Sequence, residues 1–442
     1  MPVSIAIIGA GPSGFYTAAA LIKVHPDCRI DMIEALPTPY GLIRAGVAPD
    51  HQSTKGVSRA FAKVAGEPRV SYYGNVKIGR DVSIEELREI YDAVVFAVGA
   101  PLDRRLGISG GDKPGSFGAA EFVGWYNGHP DYRDLAPDLN TEAVCVIGNG
   151  NVAVDVARVL AKTPAEMTKS DLPDYAAEAI HAAPITDIYM IGRRGAIEAK
   201  FTNKELTEMG ALEDCAPVVD PVQLPEAVTG EMSDRDRRQR EKNLATLRGF
   251  AQQSPAGKRK RLHFLFCSKP VEVLGETRVE GLRLEHTCVE DGQAVGTGET
   301  FEVPCGLLIS AIGYRMNALA GAPIDERTGV IVNEDGRVAP GLYVVGWAMR
   351  GPTGVIGTNK ADGDRVAALI RDQVEDSAKP GRGAFEGLLK RRRIRWVSFD
   401  DWQRIDAAEI AAASSGAPRS KLIRIKDMLD VLDEDSLTVT KT

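Results

Sequence analysis

Short apolar runs recur along the chain, and two of them end in the same small-residue grammar. Val3-Ser4-Ile5-Ala6-Ile7-Ile8 runs into Gly9-Ala10-Gly11-Pro12-Ser13-Gly14. Ala143-Val144-Cys145-Val146-Ile147 runs into Gly148-Asn149-Gly150-Asn151-Val152-Ala153. Further buried-strand patterns fall at 30–33, 91–100, 187–192, 306–314 and 341–347, with helix-forming stretches between them. This alternation predicts parallel α/β sheets. The charged stretch 233–248 predicts a helix, and residues 262–303 alternate apolar and polar positions between glycines, which predicts antiparallel strands or hairpins. A glycine-rich turn at 350–358 predicts a helix running through Arg371.

Each glycine run has a physical reading. The first Gly allows a tight turn after the strand, and the second lets backbone approach a pyrophosphate. The third small residue lets the helix pack against the sheet with its N–H groups facing the phosphates. The two units differ in the strand that comes next. After the first, Ile30-Asp31-Met32-Ile33 ends at Glu34, about twenty residues past Gly14, where a carboxylate can take ribose hydroxyls. After the second, Asp187–Gly192 ends at Arg193-Arg194, and paired guanidiniums suit a 2′-phosphate. The first site is therefore expected to hold FAD and the second NADP. Two such sites in one chain imply an enzyme that passes electrons between two nucleotides.

Composition narrows the class. The 442 residues call for two or more domains, and 44% apolar with 26% charged residues is ordinary for a globular chain. A net charge of −7 disfavours nucleic-acid or anionic-membrane binding. Cys28, Cys145, Cys215, Cys267, Cys288 and Cys305 include no short-spaced pair, so a disulfide reductase lacks its dithiol and a reducing, cytoplasmic setting is expected. Residues 2–22 carry no charge, but the glycines at 9, 11 and 14 would break a spanning helix and Lys23 stands on the wrong side for a signal peptide. No metal constellation or catalytic triad is evident.

Leu36–His51, with Pro39-Tyr40-Gly41-Leu42-Ile43-Arg44 at its centre, resembles the stretch after the FAD acid in adrenodoxin-reductase-type ferredoxin–NADP reductases. So do Gly148–Asp155, Gly192-Arg193-Arg194-Gly195, and Val345-Gly346-Trp347 with the turn Gly354–Thr358. The similarity runs in order along nearly the whole chain and is strongest to actinobacterial members. Position 40 is Tyr where Trp is expected in many relatives, and either Gly or Ala is expected to fit at 14. The resemblance implies two Rossmann-like domains, the NADP domain (104–314) inserted into the FAD domain (1–103 and 315–442). It implies FAD contacts at Gly9, Gly11, Ser13, Gly14, Glu34, Leu42, Val76, Arg104, Trp347, Gly354, Val355 and Ile356. NADP contacts fall at Arg104, Asn149, Gly150, Asn151, Val152, Arg193, Arg194, Glu205 and Gly354.

By the same resemblance, NADPH gives a hydride to FAD, and single electrons leave for a ferredoxin-type iron–sulfur protein that feeds a haem monooxygenase or another reductive pathway. His51 and Glu208 match polar positions near the nicotinamide, where they would orient the carboxamide or manage a proton. An acidic ferredoxin would dock on basic residues, for which Arg235, Arg238, Arg240 and Arg248, with Arg237 and Lys242, are candidates; 258–261 and 390–393 are rival patches. Two other classes share part of the pattern. The electron-supplying subunit of glutamate synthase would be expected to carry a Cys-rich N-terminal segment, whereas this chain starts at the FAD strand. A nucleotide sensor would bind both cofactors without turnover.

Overall fold

Ser4–Ile8 is buried at every position, which a strand can be only when both faces of its sheet are covered. Its side chains alternate between two cores. Ile5 and Ile7 pack with Phe15, Leu21 and Ile370, while Ala6 and Ile8 pack with Val94, Phe96 and Leu87. The computed structural model describes residues 2–316, 319, 321–376 and 378–439.

The chain divides into two units. The first comprises 1–102, 127–130 and 314–442, and the second comprises 103–126 and 131–313. Nothing in the sequence announces the brief return at 127–130.

The first unit holds a six-stranded sheet in the order Arg337–Ala339, Leu342–Val344, Ala93–Phe96, Ser4–Ile8, Arg29–Ile33, Val70–Tyr73. All neighbours are parallel except the outermost pair, Arg337–Ala339 with Leu342–Val344. The helix Pro12–Val24 starts with proline in its first turn, where a missing N–H costs nothing. It packs closely on the helix Thr358–Gln373, because a Cβ at Gly363 would lie 2.8 Å from the Thr17 nitrogen.

The second unit repeats the plan. Its six strands run Ser116–Gly118, Leu307–Ser310, Ala143–Ile147, Asp187–Ile191, Lys260–Leu265, Cys215–Val219, all parallel. The helix Asn151–Ala161 follows Ala143–Ile147. The expected charged helix spans Asp234–Ala251, with the Ser233 hydroxyl accepting from the Asp236 N–H.

The antiparallel expectation for 262–303 needs correction. Ser268–Leu274, Gly281–Glu290 and Gln293–Pro304 do form an antiparallel sheet, but Lys260–Leu265 joins the parallel one. Its alternation has another cause. Leu262 and Phe264 are buried, while His263 lies on a partly open face, stacked on Tyr189 at 4.6 Å and 2.8 Å from Asp187.

Candidate functional site

The two glycine turns have nearly the same backbone. Gly9 N–H donates to Ile33 O at 2.7 Å, and Gly148 N–H donates to Ile191 O at 2.8 Å. Both glycines hold positive φ (+105° and +137°), and a Cβ on either would lie 2.5 Å from a carbonyl oxygen, of Ala97 and Ala311 respectively. No other residue fits there. Gly11 and Gly150 precede their helices in extended conformation with space beside them; a Cβ at Gly150 would meet nothing within 4 Å. That open side is where a pyrophosphate could approach the helix N–H groups.

The third position distinguishes the turns. The second carries Ala153, fully buried, whereas a Cβ at Gly14 would lie 2.2 Å from the Gly9 carbonyl oxygen. The expectation that alanine fits equally at 14 is therefore corrected: helix and turn are too close in the first unit.

In the first unit the expected contacts are drawn together by short bonds. Glu34 accepts from the Ala10 N–H at 2.9 Å and from the Leu36 N–H at 3.3 Å. Burial pushes its carboxyl above the ordinary range, and these backbone donors offset only part of that rise. Val76 N–H donates to the Glu34 carbonyl. The turn Tyr40-Gly41 closes against Gly11, with Tyr40 N–H bonded to Ala10 O and its φ at +80°, rare for a bulky residue. Tyr40 packs edge-on against Trp402, and burial raises its hydroxyl to about 12. Leu42 follows, 46% exposed.

Ser13 is buried beside Gly346, where a Cβ would lie 2.7 Å from the serine Cβ, and this fixes where the one-turn helix Trp347–Arg350 begins. Trp347 stacks on Tyr314 at 5.7 Å and donates Nε1–H to Thr353 O. Arg350, which sequence reasoning missed, pins the glycine-rich turn: its guanidinium reaches Asp362, Asn359 and the carbonyls of Gly351 and Thr353. Its only sequence signal is polar residues at buried positions of the following helix. Val355, at 64% exposure, is like Leu42 a large apolar side chain left exposed at the protein surface.

His51 immediately precedes the short helix Gln52–Lys55; its side chain makes no capping bond, and its carbonyl accepts from the Thr54 and Lys55 N–H groups. A second missed device holds the Leu42 segment. The buried Glu409 accepts from Arg44, Arg419 and the Leu422 N–H. Burial alone would raise its carboxyl, but Arg44 and its other donors outweigh that and hold it below the ordinary range.

In the second unit, Asn149 replaces Ala10. Its carbonyl accepts from the Lys200 and Phe201 N–H groups, and its Oδ1 is buried with no partner among the described residues. Gly192 makes room for this side chain: a Cβ there would overlap Asn149 Nδ2. Asn151 Oδ1 accepts from the Thr202 N–H at 2.8 Å, and the Thr202 hydroxyl caps the helix Asn203–Met209. That helix brings Glu205 and Glu208 to the buried Arg158. Val152 follows Asn151 at the helix start. Arg193 is exposed, and Arg194 donates to Gly292 O at 3.3 Å. Arg104 is exposed beyond the turn, its N–H bonded to Gly313 O at 3.1 Å.

All six cysteines are free thiols. Cys145 and Cys305 meet in the core of the second unit despite their distance in sequence, and burial followed by this contact drives the Cys145 thiol well above its usual range. A thiol so raised is a poor nucleophile.

Residues 3–206 match the family model for pyridine nucleotide-disulphide oxidoreductases. Over 97% of its length the chain is 42% identical to the NADPH-ferredoxin reductase FprA of Mycobacterium tuberculosis, covering 99% of that protein. The chain belongs to the family of NADPH-dependent ferredoxin and adrenodoxin reductases. It is also 38% identical to the mitochondrial NADPH:adrenodoxin oxidoreductase of Arabidopsis thaliana, over 97% of this chain and 95% of that one. The solved structure of the M. tuberculosis FprA in complex with NADPH superposes with a TM-score of 0.93 at 40% identity, covering 98% of this chain and 99% of that one. Among the described residues, no helix is long and apolar enough to cross a membrane.

Proposed function

We propose that this reductase holds FAD in its first unit, takes NADPH in its second, and delivers electrons to a ferredoxin-type iron–sulfur protein. The observation that carries the reading is the contrast between two matching turns, one followed by Glu34 and the other by Arg193-Arg194. Bound FAD supplies the chemistry, accepting two electrons as hydride and releasing them singly. The chain's own residues bind and orient.

In the first unit, the N–H groups at the start of Pro12–Val24 meet the FAD pyrophosphate, with Gly9, Gly11, Ser13 and Gly14 allowing its approach. Glu34 takes ribose hydroxyls with the lone pairs its backbone donors leave free. Leu42, Val76, Trp347 and Gly354–Ile356 form the apolar and backbone wall of the ring site, and Arg104 is assigned to both nucleotides. In the second unit, Asn149–Val152 hold the NADP pyrophosphate, Arg193 and Arg194 its 2′-phosphate, and Glu205 the nucleotide beyond. His51 and Glu208 act near the nicotinamide, orienting it or holding a proton. The unpartnered Asn149 Oδ1 and the open side of Gly150 fit a ligand at that turn.

For docking, Arg235 and Arg238 are exposed and Arg240 half-buried. Arg237 and Arg248 are occupied, bonding the carbonyls of Val228, Gly230, Pro225 and Glu226. An acidic ferredoxin would therefore read Arg235, Arg238 and Arg240, with Arg248 shaping the loop beside them. The rival 258–261 patch is weaker, since Lys260 is buried and Arg259 pairs with Asp214. Six free thiols fit a cytoplasmic, reducing setting. Steady-state cytochrome c reduction with NADPH against NADH, with and without ferredoxin, tests the reading. NADH preferred over NADPH, or no gain from any ferredoxin, would overturn it.

A further inference from the structure

Arg158 is fully buried, in the helix Asn151–Ala161 of the second unit. Burying a guanidinium is costly unless partners compensate, and an apolar side chain of similar volume often packs as well or better. Packing therefore does not explain an arginine here. Its Nη1 faces three carboxylates: Asp155 at 2.8 Å on its own helix, then Glu205 at 3.3 Å and Glu208 at 3.6 Å on the helix Asn203–Met209. Glu205 and Glu208 stand three residues apart, on one helical face. The Glu205 side chain is 15% exposed and the Glu208 side chain 34%, so Glu208 keeps an open side while anchored from beneath.

The same helix pair is tied at its other end. Asn151 Oδ1 accepts from the Thr202 N–H, and the Asn149 carbonyl accepts from Lys200 and Phe201. The start of Asn203–Met209 is thus bolted to the glycine turn, and its acids are bolted to Arg158.

We infer that Arg158 is a positioning residue for the reductase reaction: it never meets the nucleotide but holds Glu205 and Glu208 in register with the turn that binds it. This rests on the proposal that both acids serve the NADP site. Its signature is dependence on the acids it holds, which a purely structural arginine would lack.

The test uses the full FAD-loaded chain with Arg158→Met, Arg158→Lys and Glu208→Gln, singly and combined. Two quantities are read: the NADP+ dissociation constant by equilibrium titration, and kcat with NADPH and ferricyanide. Arg158→Met should lower kcat about tenfold and weaken NADP+ binding severalfold, with Arg158→Lys recovering part of both. Added to Glu208→Gln, Arg158→Met should lower kcat by less than about twofold more. A full, additive loss in that background would overturn the inference, since Arg158 would then act through the fold at large. Should Arg158→Met fail to fold, Arg158→Lys in the wild-type and Glu208→Gln backgrounds completes the same cycle with the same criterion. If Glu208→Gln itself leaves kcat unchanged, the role of Glu208 falls and the inference falls with it. If Glu208→Gln lowers kcat but no Arg158 variant does, only the inference is lost.

Discussion

Replacing Arg193 and Arg194 by alanine, singly and together, separates the two guanidiniums expected to read the 2′-phosphate. They are not equivalent. Arg194 is partly buried, donates from Nη1 to Gly292 O, and has its own carbonyl held by the Cys267 N–H at 3.0 Å. Arg193 is exposed, and its guanidinium has no hydrogen bond or ion pair among the described residues; only its carbonyl is held, by the Thr287 hydroxyl. A charge-assisted bond nets about 1.5–3 kcal/mol, while ordering a free arginine costs up to about 2 kcal/mol. Arg194, already ordered, should contribute about 2 kcal/mol to the preference for NADPH, and Arg193 about 1 kcal/mol. The ratio of kcat/KM for NADPH over NADH should then fall about thirtyfold in Arg194→Ala, about fivefold in Arg193→Ala and about 150-fold in the double variant. Ferricyanide reduction with each nucleotide measures these ratios, and turnover with NADH should stay within about twofold of the parent. A double variant that keeps the parental preference, or a larger loss from Arg193 than from Arg194, would refute the reasoning.

Gly14→Ala should lower the melting temperature of the FAD-loaded protein by about 2–8 °C, from about 1–3 kcal/mol of overpacking against Gly9 O. Gly150→Ala, whose Cβ meets no protein atom, should leave melting unchanged and weaken NADP+ binding, and a fall in melting temperature would contradict the open side described for that turn. Glu409→Gln should destabilise by about 3–5 kcal/mol, because Arg44 and Arg419 lose a buried counter-charge. Since the folded protein holds the Glu409 carboxyl below its ordinary range, this stability is fully present above that range and drains away as pH falls through the depressed value. The gap between denaturant melts of parent and variant should therefore hold from neutral pH down to the ordinary carboxylate range and narrow below it, and a gap that stays constant on further acidification would sink the assignment. Arg238→Glu should raise the KM for ferredoxin and flatten its salt dependence, whereas the same change at Lys390 should do neither.

Most of the fold was legible because its strands are buried on both faces, and such strands write themselves as apolar runs ending in glycine. Ser4–Ile8 and Ala143–Ile147 are found where the pattern puts them. Lys260–Leu265 was misread because one face of its strand is partly open, which leaves an alternation that antiparallel strands also leave. Glu34 and the Arg193-Arg194 pair were visible from their distance to the turns. Arg158, Arg350 and Glu409 were not. Each charged residue depends on partners in other elements (Glu205 and Glu208 for Arg158, Asp362 and Asn359 for Arg350, Arg44 for Glu409), and local spacing does not record those partners. The Cys145–Cys305 contact was hidden for the same reason. The clash that excludes alanine at 14 is a matter of ångströms between helix and turn, which residue types do not encode.

The second unit interrupts the first, and this sets an order of events during synthesis. Every strand of the second unit's sheet has been made by Ser310, whereas the first unit's sheet waits for Leu342–Val344 and its covering helix for Gln373. At ribosomal speed that delay is on the order of tens of seconds after Ala93–Phe96 emerges. During it, Ala93–Phe96 has an unpaired edge on the side that Leu342–Val344 will fill, an invitation to wrong partners. The unit named first by the sequence is thus the last to be completed, and its strand Ala93–Phe96 keeps an open edge until Leu342–Val344 arrives.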